Sequence, residues 1–291
     1  MRKEWLIGYS FTLPSIILLI ILVIYPLFLT LIYSLSYMSL ASSRYLGWTA
    51  YNNKLFGNKM LPLVFKNSII WTILVVLFQL LLGFGSAIVL NKPFWGRSLV
   101  RGITILPWVM PGVVAGMVWR LIYDPQLGLL NHYLKSLGLI DRSLTWLSIP
   151  GSAIYAVIFS AIWKGFPFSM LMYLAGLQGV PSELYEAANI DGAGKWKQFR
   201  YVTLPSMQPI ITITFLLTFI WTFNYFELIY VMTGGGPAES THIFPTYVYD
   251  LAFKRFRFGD ASRFAIFDFL FLLIFSLFYV SLSQRQKGAE Q

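Results

Sequence analysis

The sequence predicts an all-α polytopic membrane protein with six transmembrane helices, arranged as one transmembrane domain over residues 1–291. Of these residues, 57% are hydrophobic and 12% are charged, whereas a soluble domain carries about 25% charged residues. Six apolar runs are long enough to cross about 30 Å of hydrocarbon as helices. The predicted spans are residues 13–37, 67–90, 103–123, 152–174, 209–232 and 263–283.

Composition and the N-terminus exclude several other classes of protein. Cysteine is absent, which excludes disulfides, thiol chemistry and cysteine metal sites. The net charge of +10 fits basic loops at anionic headgroups better than nucleic-acid binding, because no basic arm stands apart from the spans. The basic start MRKEW precedes an apolar stretch longer than a signal-peptide core, and no small-residue cleavage site follows, so we interpret this stretch as a retained first span.

Lysine and arginine positions predict which side of the membrane each loop faces. An even number of spans puts both termini on one side, and the two sides carry similar numbers of basic residues. On the side of the termini these residues lie in short loops beside span ends, where the positive-inside rule applies best. We therefore expect the termini and the loop over residues 178–206 to be cytoplasmic.

The polar segment Glu183–Pro205 separates two strongly apolar runs on this side. Ser182 is a residue type that caps helix starts, and Glu183 then lies in the first turn, where the helix dipole favours an anion. Alanines continue the helix, and Gly192 and Gly194 are expected to end it, since glycine takes the left-handed conformation found at helix ends. The pattern predicts a short surface helix with an alanine patch, which suits docking into a groove of another protein.

The spacing within this segment resembles the cytoplasmic EAA loop of the permeases of binding-protein-dependent ABC importers. The matching residues are Glu186-Ala187-Ala188, Gly192, Val202 and Leu204-Pro205, with Val202 in place of the commoner isoleucine. The chain from Gly8 to Ser283 is similar to the maltose-type subunit of carbohydrate importers. The resemblance implies a type I ABC importer permease fold in a bacterial or archaeal plasma (inner) membrane. It also implies coupling to an ATPase through Glu183, Tyr185, Glu186, Ala187, Ala188, Asp191, Gly192, Ala193, Leu204 and Pro205.

The same resemblance implies a set of partners. These are a second homologous permease, two cytoplasmic ATPase subunits and an external solute-binding protein that selects the solute. The ATPases would bind ATP and Mg, because this chain has no Walker motif, and we expect no cofactor, metal or catalytic residue in it. The implied function is ATP-driven import of a carbohydrate by alternating access, with a neutral di- or oligosaccharide or a related polyol or sugar derivative as the favoured solute.

The fourth span carries a lysine near its middle. Lys164 is expensive in hydrocarbon and is therefore a candidate functional residue, and a cation in the path also fits an acidic sugar or a phosphate ester. Gly165 and Pro167 are expected to loosen the helix, as happens where backbone lines a cavity, while Trp163 and Phe168 offer faces for stacking on a sugar ring. The alternative is a proline kink, with the lysine snorkelling or paired with an acid on another helix.

One face of the fifth span combines hydroxyls with aromatic rings. Thr218, Trp221, Thr222 and Tyr225 recur at helical spacing, and this composition suits a polar, ring-shaped ligand. The alternative is that the hydroxyls merely bond to helix carbonyls. In the family, corresponding positions of the fourth and fifth spans line the cavity. The predicted substrate path consists of Trp163, Lys164, Gly165, Phe168, Thr218, Trp221, Thr222 and Tyr225.

Other residues of the spans indicate helix packing rather than chemistry. Small residues spaced four apart let helices approach closely, prolines kink or restart a helix, and a buried amide hydrogen-bonds to a neighbouring helix. These expectations concern Gln79, Gly83, Ala87, Pro107, Pro111, Gly112 and Gly116. Asn224 and Glu227 are expected to meet a neighbouring helix, and Asp268 to pair with Lys164, with neighbours of Glu227 or with the partner subunit.

Two other functions are alternatives. An ion-coupled secondary transporter would rely on intramembrane acids such as Glu227 and Asp268, but it would leave the EAA-like segment unexplained. A membrane enzyme is disfavoured, because His132 and His242 lie in separate external loops and no HExxH or GxSxG motif is present. The glycine-rich stretch Met232–Thr241 lacks the Gly-Lys-Ser/Thr ending of a phosphate-binding loop.

Overall fold

The computed structural model describes residues 12–289, with side chains for residues 12–283. The basic N-terminal stretch lies outside the described residues. The chain forms two compact units. One unit contains the residues up to Pro62 together with Tyr247–Ile274, and the other contains Leu63–Thr246 together with the residues from Phe275 onward. A single domain over residues 1–291 stays a prediction.

The regular structure is almost entirely helical, as the sequence predicts. In chain order the helices are α1 (Thr12–Ser34), α2 (Met60–Asn91), α3 (Arg97–Val109), α4 (Gly112–Ile122), α5 (Leu129–Ser136), α6 (Ala153–Gln178), α7 (Ser182–Ile190), α8 (Lys195–Gln198), α9 (Leu204–Phe223), α10 (Glu227–Met232), α11 (Phe244–Tyr249) and α12 (Phe258–Ala289). Single π-helical turns lie at Ile20–Ile24, Tyr51–Phe56, Phe199–Thr203 and Asp250–Lys254. Strands β1 (Ser36–Met38) and β2 (Ser43–Tyr45) pair antiparallel.

Six candidate spans are present among the described residues. Five helical segments are long and apolar enough to cross a membrane, namely α1, α2, α6, the segment Lys195–Met232 that contains α9, and Phe258–Ser283 of α12. The bent pair formed by α3 and α4 gives the sixth candidate. The apolar residues of α1 are exposed in the isolated chain, which is typical of a surface that faces lipid or another protein.

The third predicted span, residues 103–123, is not one helix. α3 and α4 differ in direction by 96° across the break between them. Met110 is extended, with ψ of 132°, because Pro111 disfavours helical backbone in the residue before it. Pro107 is accommodated inside α3, so of the two prolines expected to kink or restart the helix, Pro111 is the one that restarts it.

The fourth and fifth spans also differ from the prediction. α6 continues unbroken through Gly165 and Pro167, so the expectation of a loosened helix was wrong. The missing side chain of Gly165 instead makes room for Gln79 of α2, whose amide would collide with a Cβ there. α9 ends at Phe223, and three residues separate it from α10. Asn224 follows α9, and asparagine favours helix ends because its side chain competes for backbone hydrogen bonds.

In the first unit, a buried arginine connects the end of α1 to the start of α12. Arg263 is 1% exposed, and its Nη1 donates hydrogen bonds of 3.0 Å to the backbone oxygens of Ser34 and Ser36. Its Nη2 pairs with the buried carboxylate of Asp260. A buried charge is tolerated when it is paired and hydrogen-bonded in this way.

In the second unit, α2 and α6 contact each other along the predicted small-residue face. A Cβ at Gly83 would lie 2.6 Å from the Ser169 Cβ, so the two helices approach this closely only because residue 83 has no side chain. Gln79 Nε2 donates a 2.9 Å hydrogen bond to the Ala161 carbonyl, and Ala87 is buried. The packing roles predicted for Gln79, Gly83 and Ala87 are confirmed.

The glycine pair of α4 packs against α10. A Cβ at Gly116 would lie 2.9 Å from Val231 Cγ1, and one at Gly112 would collide with the Glu227 carboxylate. The predicted GxxxG packing face is therefore confirmed, and so is the contact of Glu227 with a neighbouring helix. This contact holds the short helix α10 beside the break between α3 and α4.

Candidate functional site

The segment between α6 and α9 contains a surface helix with a well-defined end. At the end of α7, the Gly192 N–H bonds to the Asn189 carbonyl at 3.0 Å and the Ala193 N–H bonds to the Ala188 carbonyl at 2.8 Å. Gly192 itself has φ of +73°. These two bonds and the left-handed residue constitute a Schellman motif. The helix end predicted at Gly192 is confirmed.

Two details of this helix differ from the prediction. Ser182 is the first helical residue rather than the cap, because Pro181 takes the extended cap position with φ of −59° and ψ of 136°. Proline lacks an N–H and presets φ, so it suits the start of a helix without a side-chain cap. Gly194 has φ of −65° and precedes α8, which leaves Gly192 as the residue that turns the chain. Glu183 lies in the first turn of α7, as predicted.

The surface of this segment is uncovered and combines apolar with polar side chains. Within the described segment 182–190 no residue is buried. Glu186 and Ala187 are exposed, while Ile190 is 87% and Trp196 75% exposed. Exposed apolar side chains beside an alanine face indicate a surface that docks on another protein.

Hydrogen bonds connect the surface helix to the following span. The Tyr185 hydroxyl lies 2.9 Å from Thr203 Oγ1, and Gln198 Nε2 donates a 3.0 Å bond to the Ala193 carbonyl. Thr203 immediately precedes α9, so a displacement of α7 acts directly on the start of that span. The residues predicted to couple to an ATPase all lie in α7, in its terminal turn or at the start of α9: Glu183, Tyr185, Glu186, Ala187, Ala188, Asp191, Gly192, Ala193, Leu204 and Pro205.

A cavity of about 120 Å³ opens among α2, α3, α6 and α9 in the second unit. On α6 its lining residues recur every three or four positions, as expected of one helix face. Hydroxyls, one ammonium and several aromatic rings share its wall. The lining residues are Trp71, Val75, Gln79, Trp108, Ala161, Lys164, Gly165, Phe168, Thr218, Trp221, Thr222 and Tyr225.

The cavity contains all the predicted path residues except one. Lys164, Gly165, Phe168, Thr218, Trp221, Thr222 and Tyr225 line it. Trp163 instead packs against Trp119, with ring centroids 5.5 Å apart at 77°, because successive helical residues point in different directions. A role for any of these residues in conducting a solute stays a prediction.

Five lining residues were missed as path residues by sequence reasoning. Trp71, Val75 and Gln79 recur at a spacing of four on α2 and therefore share a helix face. Gln79, the polar residue among them, could have indicated that this face lines a cavity. Trp108 and Ala161 carry no such signal, because tryptophan and alanine in an apolar span fit a lipid-facing or a packed position equally well. Their place in the cavity follows only from the way the helices pack.

Two hydroxyls in the cavity lack hydrogen-bond partners within the part of the chain that the structure describes. Thr218 Oγ1 and Tyr225 Oη are buried without a hydrogen-bond partner among the described residues. The alternative that the Thr218 hydroxyl bonds to a helix carbonyl is therefore not what the structure shows. Lys164 is half-buried, and Glu227 does not line the cavity.

Aromatic rings fix the shape of the cavity. Phe168 contacts Trp221 edge-on, with centroids 4.9 Å apart at 61°, and it also contacts Trp108 at 5.9 Å. Trp71 stacks on Tyr225 at 6.2 Å, and its Nε1 donates a 2.8 Å hydrogen bond to the Thr222 carbonyl. The rings are thus held by contacts on α6 and α9, and they offer flat apolar faces beside unpartnered hydroxyls.

A second cavity of about 420 Å³ lies near the predicted external loops. Arg120 and Asp124 contribute its charges, and Thr145 and Thr233 contribute hydroxyls. Asp124 Oδ1 accepts hydrogen bonds of 2.8 Å from the backbone N–H groups of Leu127 and Gln126. These bonds stabilise the carboxylate and lower the pKa of Asp124 from its ordinary value. Asp124 thus has a structural role in the turn.

Asp268 is buried in the first unit. It is 9% exposed, and its Oδ1 has no hydrogen-bond partner among the described residues. The partners considered for it from the sequence stay predictions. Asn224, expected to meet a neighbouring helix, is exposed at the end of α9.

Comparison with known protein families assigns the chain to one of them. Residues 79–288 match the family described as the binding-protein-dependent transport system inner membrane component. The chain belongs to this family. The matched region of this permease includes the surface helix α7, the last three of its long helical segments and every lining residue of the cavity except Trp71 and Val75.

Individual relatives and a solved structure agree with this membership. The permease is 39% identical over 218 residues to a probable ABC transporter permease protein of Brucella suis biovar 1, covering 75% of each chain. It is 32% identical to the trehalose/maltose transport system permease protein MalF of Thermococcus litoralis, covering 97% of this chain and 95% of the relative. The crystal structure of a bacterial alginate ABC transporter in complex with its alginate pentasaccharide-bound periplasmic protein has a chain that superposes with a TM-score of 0.86 at 26% identity, covering 98% of this chain and 96% of that one.

Proposed function

We propose that the chain is a transmembrane subunit of an ATP-driven ABC importer for a carbohydrate. It forms the translocation path together with a second, related permease. Two ATPase subunits bind ATP and Mg on the cytoplasmic side, and an external binding protein delivers the solute. The chain lies in the inner membrane with both termini and α7 in the cytoplasm. It carries no ATPase site of its own.

The observation that carries this proposal is the composition of the cavity between α6 and α9. Sugar rings have apolar faces and hydroxyl groups at their edges, and the cavity contains aromatic rings and hydroxyls that can contact them. Trp221 and Phe168 supply aromatic faces, and the hydroxyls of Thr218 and Tyr225 have no partner in the described chain. A buried polar group without a partner costs free energy that a ligand hydroxyl can restore.

The size of this cavity supports a second permease. A small-molecule site usually has a volume of about 300–1,000 Å³, whereas the cavity in this chain has about 120 Å³. One chain therefore supplies one wall of the path. The named trehalose/maltose relative and the alginate transporter indicate that the missing wall belongs to a complex that handles saccharides.

The surface helix α7 supports coupling to an ATPase. Its alanine face and the neighbouring Ile190 and Trp196 are exposed, as expected of a surface that another protein buries. The hydrogen bond between Tyr185 and Thr203 connects α7 to the residue before α9, and the bond from Gln198 to Ala193 stabilises the turn between α7 and α8. A groove of the ATPase that closes on ATP would shift α7, and α9 would move with it as a rigid body. Family membership disfavours the alternative of an ion-coupled transporter, which needs no such helix.

The test is purification of the tagged chain in mild detergent, followed by mass spectrometry of the proteins that accompany it. We expect a second permease and an ATPase in stoichiometric amounts. A matched sample carrying Glu186→Lys should insert in the membrane but lose the ATPase. Recovery of the wild-type chain without any ATPase would refute the proposal.

A further inference from the structure

We propose that the solute carries an anionic group, such as the carboxylate of a uronic acid, and that Lys164 binds it. This inference rests on the proposed function and specifies its substrate class. It departs from the neutral saccharide that the sequence favoured. The observation behind it is a charge imbalance, since Lys164 is the only charged side chain among the described residues that line the cavity.

The ammonium of Lys164 has no partner within residues 12–283, whose side chains the structure describes. No described residue forms an ion pair or a hydrogen bond with it. Gln79, which also lines the cavity, donates its amide N–H to the Ala161 carbonyl on the same helix as Lys164. An unpaired charge within a membrane span is expensive, and such residues characteristically face a path and meet an opposite charge there.

Glu227 does not supply that opposite charge. Its carboxylate lies over Gly112 of α4, and it is absent from the residues that line the cavity. No ion pair joins Glu227 to Lys164 among the described residues. The donors of the Lys164 ammonium are therefore free for a ligand.

Snorkelling does not account for the lysine either. Lys164 lies eleven residues after the start of α6 and fourteen before its end. At 1.5 Å per residue these separations are about 16 and 21 Å, which is farther than a lysine side chain extends. The ammonium therefore stays at the depth of the cavity, beside Phe168 and Trp221 on facing helices.

The rest of the wall defines what the anionic group is attached to. Thr218 Oγ1 and Tyr225 Oη are buried hydroxyls without partners, and they suit the hydroxyls of a sugar. The aromatic faces of Trp221 and Phe168 suit its ring. A sugar ring with hydroxyls and one carboxylate provides a partner for the aromatic faces, the buried hydroxyls and the ammonium. A neutral sugar leaves the ammonium desolvated and unpaired as it passes.

The test compares ligands that differ only in charge. The assembled complex of both permeases and the ATPases is placed in lipid nanodiscs without the binding protein. It is titrated with the disaccharides of glucuronate, galacturonate and mannuronate and with the methyl ester of each, using quenching of tryptophan fluorescence from Trp71, Trp108 and Trp221. At least one acid should bind about 10- to 100-fold more tightly than its ester, which is the effect of one charge-assisted hydrogen bond.

Variants assign this preference to the lysine. Lys164→Gln should abolish the preference for the acid while leaving the affinity for the ester unchanged, and Lys164→Arg should retain it. Lys135→Gln, in the exposed helix α5, is the matched control and should behave as wild type. A preference that survives in Lys164→Gln refutes the inference, and so does a panel in which no acid binds more tightly than its ester.

Two further outcomes are distinguishable. If Lys164→Gln releases the second permease during purification and leaves the acid preference intact, the lysine pairs with an acid of that subunit and the inference is wrong. If the complex does not assemble, or binds neither the acids nor the esters, the result contradicts the proposed function itself rather than the charge of the solute. Binding of the esters as tightly as the acids, in a complex that assembles normally, would overturn the substrate class alone.

Discussion

Gly83 of α2 lies so close to Ser169 of α6 that a Cβ at position 83 would be 2.6 Å from the serine Cβ. Gly85, two residues along the same helix, has no atom within 4 Å of such a Cβ. The two glycines are therefore a matched pair for measuring how much the close approach contributes. We expect Gly83→Ala to destabilise the protein by about 1–3 kcal/mol through overpacking.

Thermal unfolding of the purified chain in one detergent measures this difference. Gly85→Ala should be neutral or slightly stabilising, because alanine is the better helix former by about 1 kcal/mol. Equal melting temperatures for the two variants would mean that α2 and α6 do not pack as described.

The end of the surface helix depends on one glycine rather than two. Gly192 has φ of +73°, whereas Gly194 has φ of −65°, and neither has an atom near the position of a Cβ. Gly192→Ala should cost about 1 kcal/mol through left-handed strain alone. Gly194→Ala should cost little, since its backbone conformation is open to any residue.

The readout for this pair is the ATPase activity of the assembled complex with and without solute. Gly192→Ala should weaken the stimulation by solute, because the orientation of α7 on the ATPase changes. Gly194→Ala should leave it near the wild-type value. A stronger effect at position 194 would show that the Schellman turn does not set the orientation.

The aromatic wall should contribute directly to solute affinity. Trp221 lines the cavity and contacts Phe168 at 4.9 Å, while Trp95 is 98% exposed outside it. Trp221→Ala should lower the affinity of the complex for solute by about 3- to 10-fold, the usual contribution of an aromatic contact. Trp95→Ala should leave the affinity unchanged. Isothermal titration with the transported solute compares the two, and equal affinities would remove Trp221 from the path.

The buried arginine of the first unit should be essential for stability. Arg263→Met removes the bonds to Ser34 and Ser36 and leaves the Asp260 carboxylate without its buried partner. Breaking one side of a buried pair costs about 3–5 kcal/mol. Arg257→Gln removes a partner that is 46% exposed and should cost far less.

Hydrogen exchange at the end of α1 and the start of α12 measures this effect. Fast exchange in Arg263→Met and near wild-type protection in Arg257→Gln are expected. Similar protection in both variants would mean that the arginine does not connect the two segments.

Local features of this protein were predictable from sequence, whereas contacts between distant residues were not. The helix end at Gly192 follows from the conformational freedom of one residue, and the close approach at Gly83 follows from its lack of a side chain. The bonds of Arg263 to Ser34 and Ser36 join residues more than 220 positions apart, so no local pattern reveals them.

The cavity, too, was predictable from sequence in part only. Thr218 and Trp221 share a helix face that the spacing alone identifies, and both line the cavity. Tyr225 lines it from the break that follows α9. Trp108 joins them only because α3 ends beside α6, next to a 96° bend whose angle the prolines do not specify. Trp163, adjacent to Lys164 in sequence, is partly buried and packs against the core instead, since successive residues of a helix point in different directions.

ATP-driven uptake in proteoliposomes tests the central claim most directly. The complex of both permeases and the ATPases is reconstituted with ATP inside, and binding protein with labelled solute is added outside. Uptake should require internal ATP and be abolished by Glu186→Lys in α7, while Asp141→Lys in an exposed loop has no effect. Uptake driven by an ion gradient without ATP, or normal uptake in Glu186→Lys, would contradict the account.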